Sequence, residues 1–196
     1  MKKLITITAA LAFAGTATAD DKKPEAKKPD AAKPEAKKPD AAPKMEMPKP
    51  SQELTDMAKN MVGTWKCSGK AMGPDGSAME FKNVAIKQTL DLDKFWLKGE
   101  MTGQIGPMKI RNVDYISYDA TQKKWFRLAV DNHGGQETNW SSDGKTWEGE
   151  QRMMGMAVKV KATMNVVTPG KEWKLDAQMS PDGKKWAPGF EMACKK

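Results

Sequence analysis

Long hydrophobic runs, histidine and cysteine are all scarce in this chain of 196 residues. The longest apolar stretch, Leu4 to Ala14, has 11 residues and includes Thr6 and Thr8, so it falls well short of the roughly 20 a membrane-spanning helix needs. With one histidine, His133, and no Gly-x-Ser-x-Gly, no nucleophilic triad is visible, and no Cys/His spacing supports zinc. A carboxylate pair such as Glu100 and Asp114 carries no signal of its own, since any acid-rich barrel offers such pairs. No biochemical activity is disclosed, and the balance lies against an enzyme.

The apolar stretch has another use. Met1-Lys2-Lys3 is a short basic start, and Ala17-Thr18-Ala19 is a small-x-small cleavage signal. Together they read as a signal peptide over 1–19, cut before Asp20. No cysteine lies near the cut, so a lipid anchor is not expected. The protein is expected to be exported, to a periplasm or the medium, without stable membrane insertion.

Residues 20–50 lack aromatic and β-branched residues altogether. Proline follows lysine at 24, 29, 34 and 39, within a direct repeat of Pro-Glu-Ala-Lys-Lys-Pro-Asp-Ala-Ala. Nothing here can bury enough surface to offset the entropy of ordering, and the prolines forbid a continuous helix. The segment reads as a disordered linker, spanning about 30 Å as a flexible coil. It is either a plain solvated spacer or a mixed-charge arm that touches anionic envelope polymers.

The net charge of +8 is misleading without its location. Lys2 and Lys3 leave with the signal peptide, and the linker carries nine lysines against seven acids. What remains over 51–196 is a mildly basic, mixed surface with no Lys/Arg stripe, which argues against nucleic acid.

The domain itself is read as 51–196. Ser51 suits an N-cap, Glu53 suits the first turn, and Leu54, Met57, Ala58 and Met61 lie on one face of a helix over 51–61 that Gly63 ends. The period then becomes two. Val158, Val160, Ala162, Met164 and Val166 share one face of the clearest strand, and lysines and polar residues share the other. Val84, Ile86, Gln88 and Leu90 form a second such face, and Phe95, Leu97, Gly99 and Met101 a third. Phe126, Leu128 and Val130 form a fourth, and Trp173, Leu175, Ala177 and Met179 a fifth. Inside and outside are assigned from this alternation alone.

Nine turn signals divide the chain into ten strands, at about 62–71, 78–91, 94–105, 108–118, 123–131, 136–142, 145–154, 156–167, 171–179 and 184–194. Two turns share their wording, Ser142-Asp143-Gly144-Lys145-Thr146-Trp147 and Pro181-Asp182-Gly183-Lys184-Lys185-Trp186, and read as one hairpin solution used twice. Ten sequential strands without crossover helices predict an all-β, antiparallel up-and-down barrel, closed so that no edge is left. Closure sets the first strand beside the last. Cys67 shares a face with Trp65, and Cys194 with Phe190 and Met192. Two cysteines in an exported protein are expected to bond, and a Cys67–Cys194 disulfide would staple that seam.

The helix followed by Gly63-Thr64-Trp65 resembles the Gly-x-Trp opening of lipocalin-like barrels, where the Trp closes the floor. More of the chain is similar to the bacterial domain-of-unknown-function family numbered fifteen-seventy-nine. The residues that carry this are Met61 to Trp65, Asp93-Lys94-Phe95-Trp96-Leu97, Tyr115-Ile116-Ser117-Tyr118-Asp119 with Lys124-Trp125, and Asp131-Asn132. The resemblance implies a ten-stranded lipocalin-like or nitrobindin-like barrel and supplies no activity. Second and third lipocalin motifs are missing. Haem-binding relatives place a proximal histidine late in the barrel, where residues 171–196 have none, so haem is not expected and no other cofactor is predicted.

The function that follows is binding of a small apolar ligand inside the barrel, with Trp65, Trp147, Trp173, Trp186 and Gln88 as candidate lining. The alternatives are a filled barrel acting as a structural or envelope-interaction protein, and a weak metal or ligand site in the loop of Asp131, Asn132 and His133. That loop has the composition of a plain hairpin as well. The fifteen methionines, with clusters at Met45-Glu46-Met47 and Met153-Met154-Gly155-Met156, suit copper(I) by softness but also serve as core filler.

Overall fold

The computed structural model describes residues 47–73, 75–153 and 155–196. The expected leader at 1–19, and the expected linker apart from its last four residues, lie outside the described residues. One helix and ten strands follow in order. They are α1 (Gln52–Met61), β1 (Gly63–Met72), β2 (Ala78–Asp91), β3 (Trp96–Ile105), β4 (Met108–Asp119) and β5 (Lys124–Asp131), then β6 (Gln136–Ser141), β7 (Thr146–Met153), β8 (Met156–Thr168), β9 (Glu172–Ser180) and β10 (Ala187–Lys195).

Each strand pairs antiparallel with its neighbours in sequence, and β1 pairs with β10, so the sheet closes into a barrel with no free edge. The closing register sets Cys67 opposite Cys194, and the two are bonded. A native disulfide points to an oxidising, non-cytoplasmic setting. Among the described residues no helix is long and apolar enough to cross a membrane.

The helix stoppers one end. The Ser51 hydroxyl accepts from the Leu54 N–H at 3.1 Å, the N-cap that its position in the sequence suggests. Leu54, Ala58 and Met61 are buried and join a core with Trp65, Leu97, Ile116, Trp125, Trp147, Trp173 and the disulfide. The Trp65 indole donates to the Met61 carbonyl at 2.7 Å, tying the floor of the barrel to the last turn of the helix. Trp65 and Trp173 meet edge to face, with centroids 6.0 Å apart. From below, the Lys196 ammonium sits 4.5 Å from the Trp65 ring and donates to the Val62 carbonyl at 2.8 Å.

Three expectations need correction. β10 starts at Ala187 rather than near 184, because the backbone N–H groups of Lys184 and Lys185 donate to Asp182 Oδ1 and belong to the turn. β3 starts at Trp96 rather than near 94, because Leu92, Asp93 and Lys94 all take left-handed conformations (φ 46°, 55° and 70°) and make the turn themselves. The largest correction concerns β5. Phe126, Leu128 and Val130 do share a face, but it is the outer one, with Leu128 and Val130 exposed. Trp125, Arg127, Ala129 and Asp131 are the residues turned inward. The aromatics of this outer face partly cover one another, with the ring centroid of Phe126 4.6 Å from that of Trp140 and 6.3 Å from that of Trp96, and those of Trp96 and Tyr115 6.2 Å apart.

Candidate functional site

Above the tryptophan floor the barrel encloses a cavity of about 290 Å³, near the lower end of the range for small-molecule sites. Nine of the fifteen methionines line it, together with Phe81, Phe190, Trp147, Trp173 and several isoleucines. Met72, Met79, Met108 and Met153 come from the strand ends opposite α1 and form its mouth. Soft unbranched side chains of this kind adapt to irregular apolar shapes.

One wall is different. Along β4, β5 and β6 the inward residues include Asp114, Arg127, Glu137 and Asn139. The register explains how they meet. Arg127 is paired with Ile116 on one side and Asn139 on the other, so Asp114 and Glu137 are its diagonal neighbours, within reach of a long side chain. The guanidinium Nη1 donates to Glu137 Oε1 at 2.8 Å, and Nε lies 3.6 Å from Asp114 Oδ2. The Asn139 amide nitrogen donates to the same Glu137 oxygen. Room for these groups comes from glycines on the neighbouring strands. A β-carbon at Gly99 would collide with the Asp114 carboxylate, and one at Gly149 with the Asn139 amide oxygen.

Burial pushes the Asp114 carboxyl above its ordinary value, with the Arg127 charge opposing the rise and Glu137 adding to it. Burial works against the Arg127 charge, but Glu137 and Asp114 more than offset it and hold the guanidinium above its usual value. Several polar atoms in the wall of the cavity have no partner among the described residues: Gln88 Oε1, Asn139 Oδ1, Gln151 Oε1 and Trp173 Nε1. An unpaired buried amide oxygen costs about 1–3 kcal/mol unless something else meets it.

The residues singled out from the sequence are distributed as follows. Gln88, Trp147 and Trp173 line the cavity, while Trp65 lies beneath them in the floor. Trp186 is outside that lining; it precedes β10 and its ring lies 4.7 Å from the Lys161 ammonium. Asp131, Asn132 and His133 stand at the mouth, where they build the β5–β6 turn. Asp131 Oδ1 accepts from the backbone N–H of His133 and of Gly135, Asn132 Oδ1 accepts from that of Arg111, and His133 Nε2 lies 2.9 Å from the Lys109 carbonyl. Among the described residues no group of three His, Cys, Asp or Glu side chains is placed to hold a metal ion. Glu100 and Asp114 do not form a pair, since Gly99, not Glu100, is opposite Asp114 and Glu100 meets Lys98 on the outer face. Met153 lines the cavity, while its cross-strand partner Met156 is exposed and outside the lining, so no paired thioether site forms there; Met45, Glu46 and Met154 lie outside the described residues.

Arg127, Glu137 and Asn139 escaped the sequence reading. A signal was present: Trp125-x-Arg127-x-Ala129-x-Asp131 alternates with Phe126-x-Leu128-x-Val130, so the most apolar face of β5 leaves an arginine and an aspartate on the other. Such a strand is the one whose phase deserves doubt.

Residues 49–195 match the model of a family described as a protein of unknown function, DUF1579. No curated protein matches the sequence. Among solved structures, Rv2717c from M. tuberculosis is similar in fold, with 12% identity and a TM-score of 0.53 over 76% of this chain and 99% of that one. The S-type phycobiliprotein lyase CPES from Guillardia theta matches with 11% identity and a TM-score of 0.47, over 73% of this chain and 92% of that one.

Proposed function

Because the chain belongs to the DUF1579 family, whose description names no activity, we propose a function from the cavity itself: the protein binds a small, mainly apolar molecule inside the barrel. The observation that carries this is a methionine- and aromatic-lined space of about 290 Å³ containing buried amide oxygens that lack partners. A barrel serving only as a structural body gains nothing from that arrangement, because filling the space with side chains would recover dispersion contacts and remove the unpaired atoms. A bound molecule with an apolar body recovers the contacts, and a polar group on it meets the oxygens.

In this reading residues 1–19 direct export and 20–50 act as a spacer. The barrel then works outside the cytoplasm, where the Cys67–Cys194 bond persists. Contact between the spacer and anionic envelope polymers is compatible with this role.

Native mass spectrometry of the protein purified from its own compartment tests the proposal. An extra non-covalent mass that vanishes on denaturation is expected. A bare polypeptide that also fails to bind the apolar fluorophore N-phenyl-1-naphthylamine saturably would end it.

A further inference from the structure

The charge inside the barrel is opposite to the charge of the chain. Over residues 51–196 the sequence has 22 Lys and Arg against 18 Asp and Glu, a net of +4. Among the described residues that line the cavity, the only Lys or Arg is Arg127, against three carboxylates, Asp114, Asp131 and Glu137. With all three ionised, two negative charges are unmatched; if Asp114 keeps its proton, one is. In neither state does the cavity have positive charge to spare.

Three of the four unpartnered atoms point the same way, and the fourth, the Trp173 indole N–H, is the one donor among them. Gln88 is 5% exposed and Asn139 1%. Each lines the cavity and holds a buried acceptor oxygen without a partner among the described residues, and Gln151 adds a third. The Asn139 amide is oriented by its own donation to Glu137, so the oxygen is the atom left over. Arg127 is already flanked by two carboxylates, and an anion approaching it would meet both. Three acceptors and surplus negative charge, enclosed where screening by water is weak, favour a donor and disfavour a carboxylate.

We propose that the polar end of the bound molecule is a hydrogen-bond donor, best a cationic amine and next a hydroxyl, with Glu137, Asp114, Gln88 and Asn139 as the selecting groups. This rests on the ligand-binding reading above and names the chemistry of that ligand. An amphiphilic amine places its chain among the methionines and its ammonium against the β4–β6 wall. A fatty acid of the same length buries its carboxylate beside the carboxylates of Asp114 and Glu137.

The test uses the folded chain with its disulfide intact and three probes of equal chain length, decylamine, decanol and decanoate. Each displaces N-phenyl-1-naphthylamine near neutral pH. The expected order is amine, then alcohol, then acid, with at least tenfold between the first and the last. Glu137→Gln removes one negative charge while keeping the shape, and is expected to reduce the amine-to-acid ratio about tenfold. Gln88→Met, which leaves the ion cluster alone, is expected to weaken decanol several-fold. A ratio is read within each variant, so partial loss of stability does not imitate the effect. Equal affinity of the three probes, or preference for decanoate, would overturn the inference while leaving the binding role in place. Failure of all three and of the fluorophore would overturn both.

Discussion

Two walls of the same barrel divide their residues in opposite ways. Along β8, β9, β10 and β1 the inward side chains are Val160, Met164, Trp173, Leu175 and Met192, and the outward ones include Lys161, Lys174, Lys195 and Glu191. Along β4, β5 and β6 the inward side chains include Asp114, Arg127, Glu137 and Asn139, and the outward ones are Tyr115, Phe126, Leu128, Val130 and Trp140. The first wall is held by apolar burial and closed by the disulfide. The second keeps polar groups indoors through diagonal ion pairs, and its aromatics lie outside against one another. A strand with period two can face either way, and the ion-pair partners on the next strands decide which.

The largest effect should come from opening the apolar wall at its seam. The Cys67–Cys194 bond closes a loop with a sequence separation of 127, for which the loop-entropy model gives about 4–5 kcal/mol. Cys67→Ser with Cys194→Ser, or reduction, should lower the urea midpoint accordingly. A midpoint unchanged by reductant would show that the seam is held by pairing and packing alone.

Breaking the polar wall should cost almost as much. Arg127→Met leaves Asp114 and Glu137 enclosed without their cation, a loss of about 3–5 kcal/mol. Adding Asp114→Leu and Glu137→Leu should restore most of it, since replacing a whole buried ionic cluster by apolar residues is often neutral. If Arg127→Met alone is harmless in urea unfolding, the cluster is effectively solvated and the contrast between the walls fails.

The smallest effect separates two aspartates by pH. The Asp114 carboxyl, raised in the folded state by burial, holds its proton longer there than in the unfolded chain. Its contribution to stability is therefore complete below the ordinary value of 3.8 and is lost as pH rises through the folded value. Asp143 is the reverse case. The backbone N–H groups of Thr146 and Lys145 hold it down to about 2, so its contribution is present above 3.8 and lost as pH falls through about 2. Asp114→Asn should remove a decline in stability on the alkaline side of 3.8. Asp143→Ala should cost about 1 kcal/mol near neutral pH, allowing for its exposure, and progressively less in acid. Urea midpoints measured from pH 2 to 8 distinguish the two, and parallel curves for both variants would contradict the assignment.

The repeated turn shows how far local wording carries. In Ser141-Ser142-Asp143-Gly144 the Ser141 hydroxyl accepts from the Gly144 N–H at 2.9 Å, and Asp143 Oδ1 accepts from Lys145 and Thr146. In Ser180-Pro181-Asp182-Gly183 the Ser180 hydroxyl accepts from the Gly183 N–H at 2.8 Å, and Asp182 Oδ1 accepts from Lys184 and Lys185. The turns are the same because their hydrogen bonds close within a few residues. The tryptophans that follow are not placed alike. Trp147 is the second residue of β7 and points into the cavity, whereas Trp186 precedes β10 and packs under Lys161.

What the sequence determined by itself was therefore everything that closes over short distances: the capped helix, the ten alternating strands, their turns, and the antiparallel order that follows from short connections. Even the disulfide was legible, because closing the meander and counting by twos placed both sulfurs on neighbouring inward positions. The tertiary structure alone decided which face of β5 is indoors, that Arg127 lies between Asp114 and Glu137, and that a cavity remains above the tryptophan floor. Strand phase is set by register against residues 5 to 19 positions away on the neighbouring strands, and a cavity is the space left when ten inner faces have been placed together. Neither is a property of any stretch of residues taken alone.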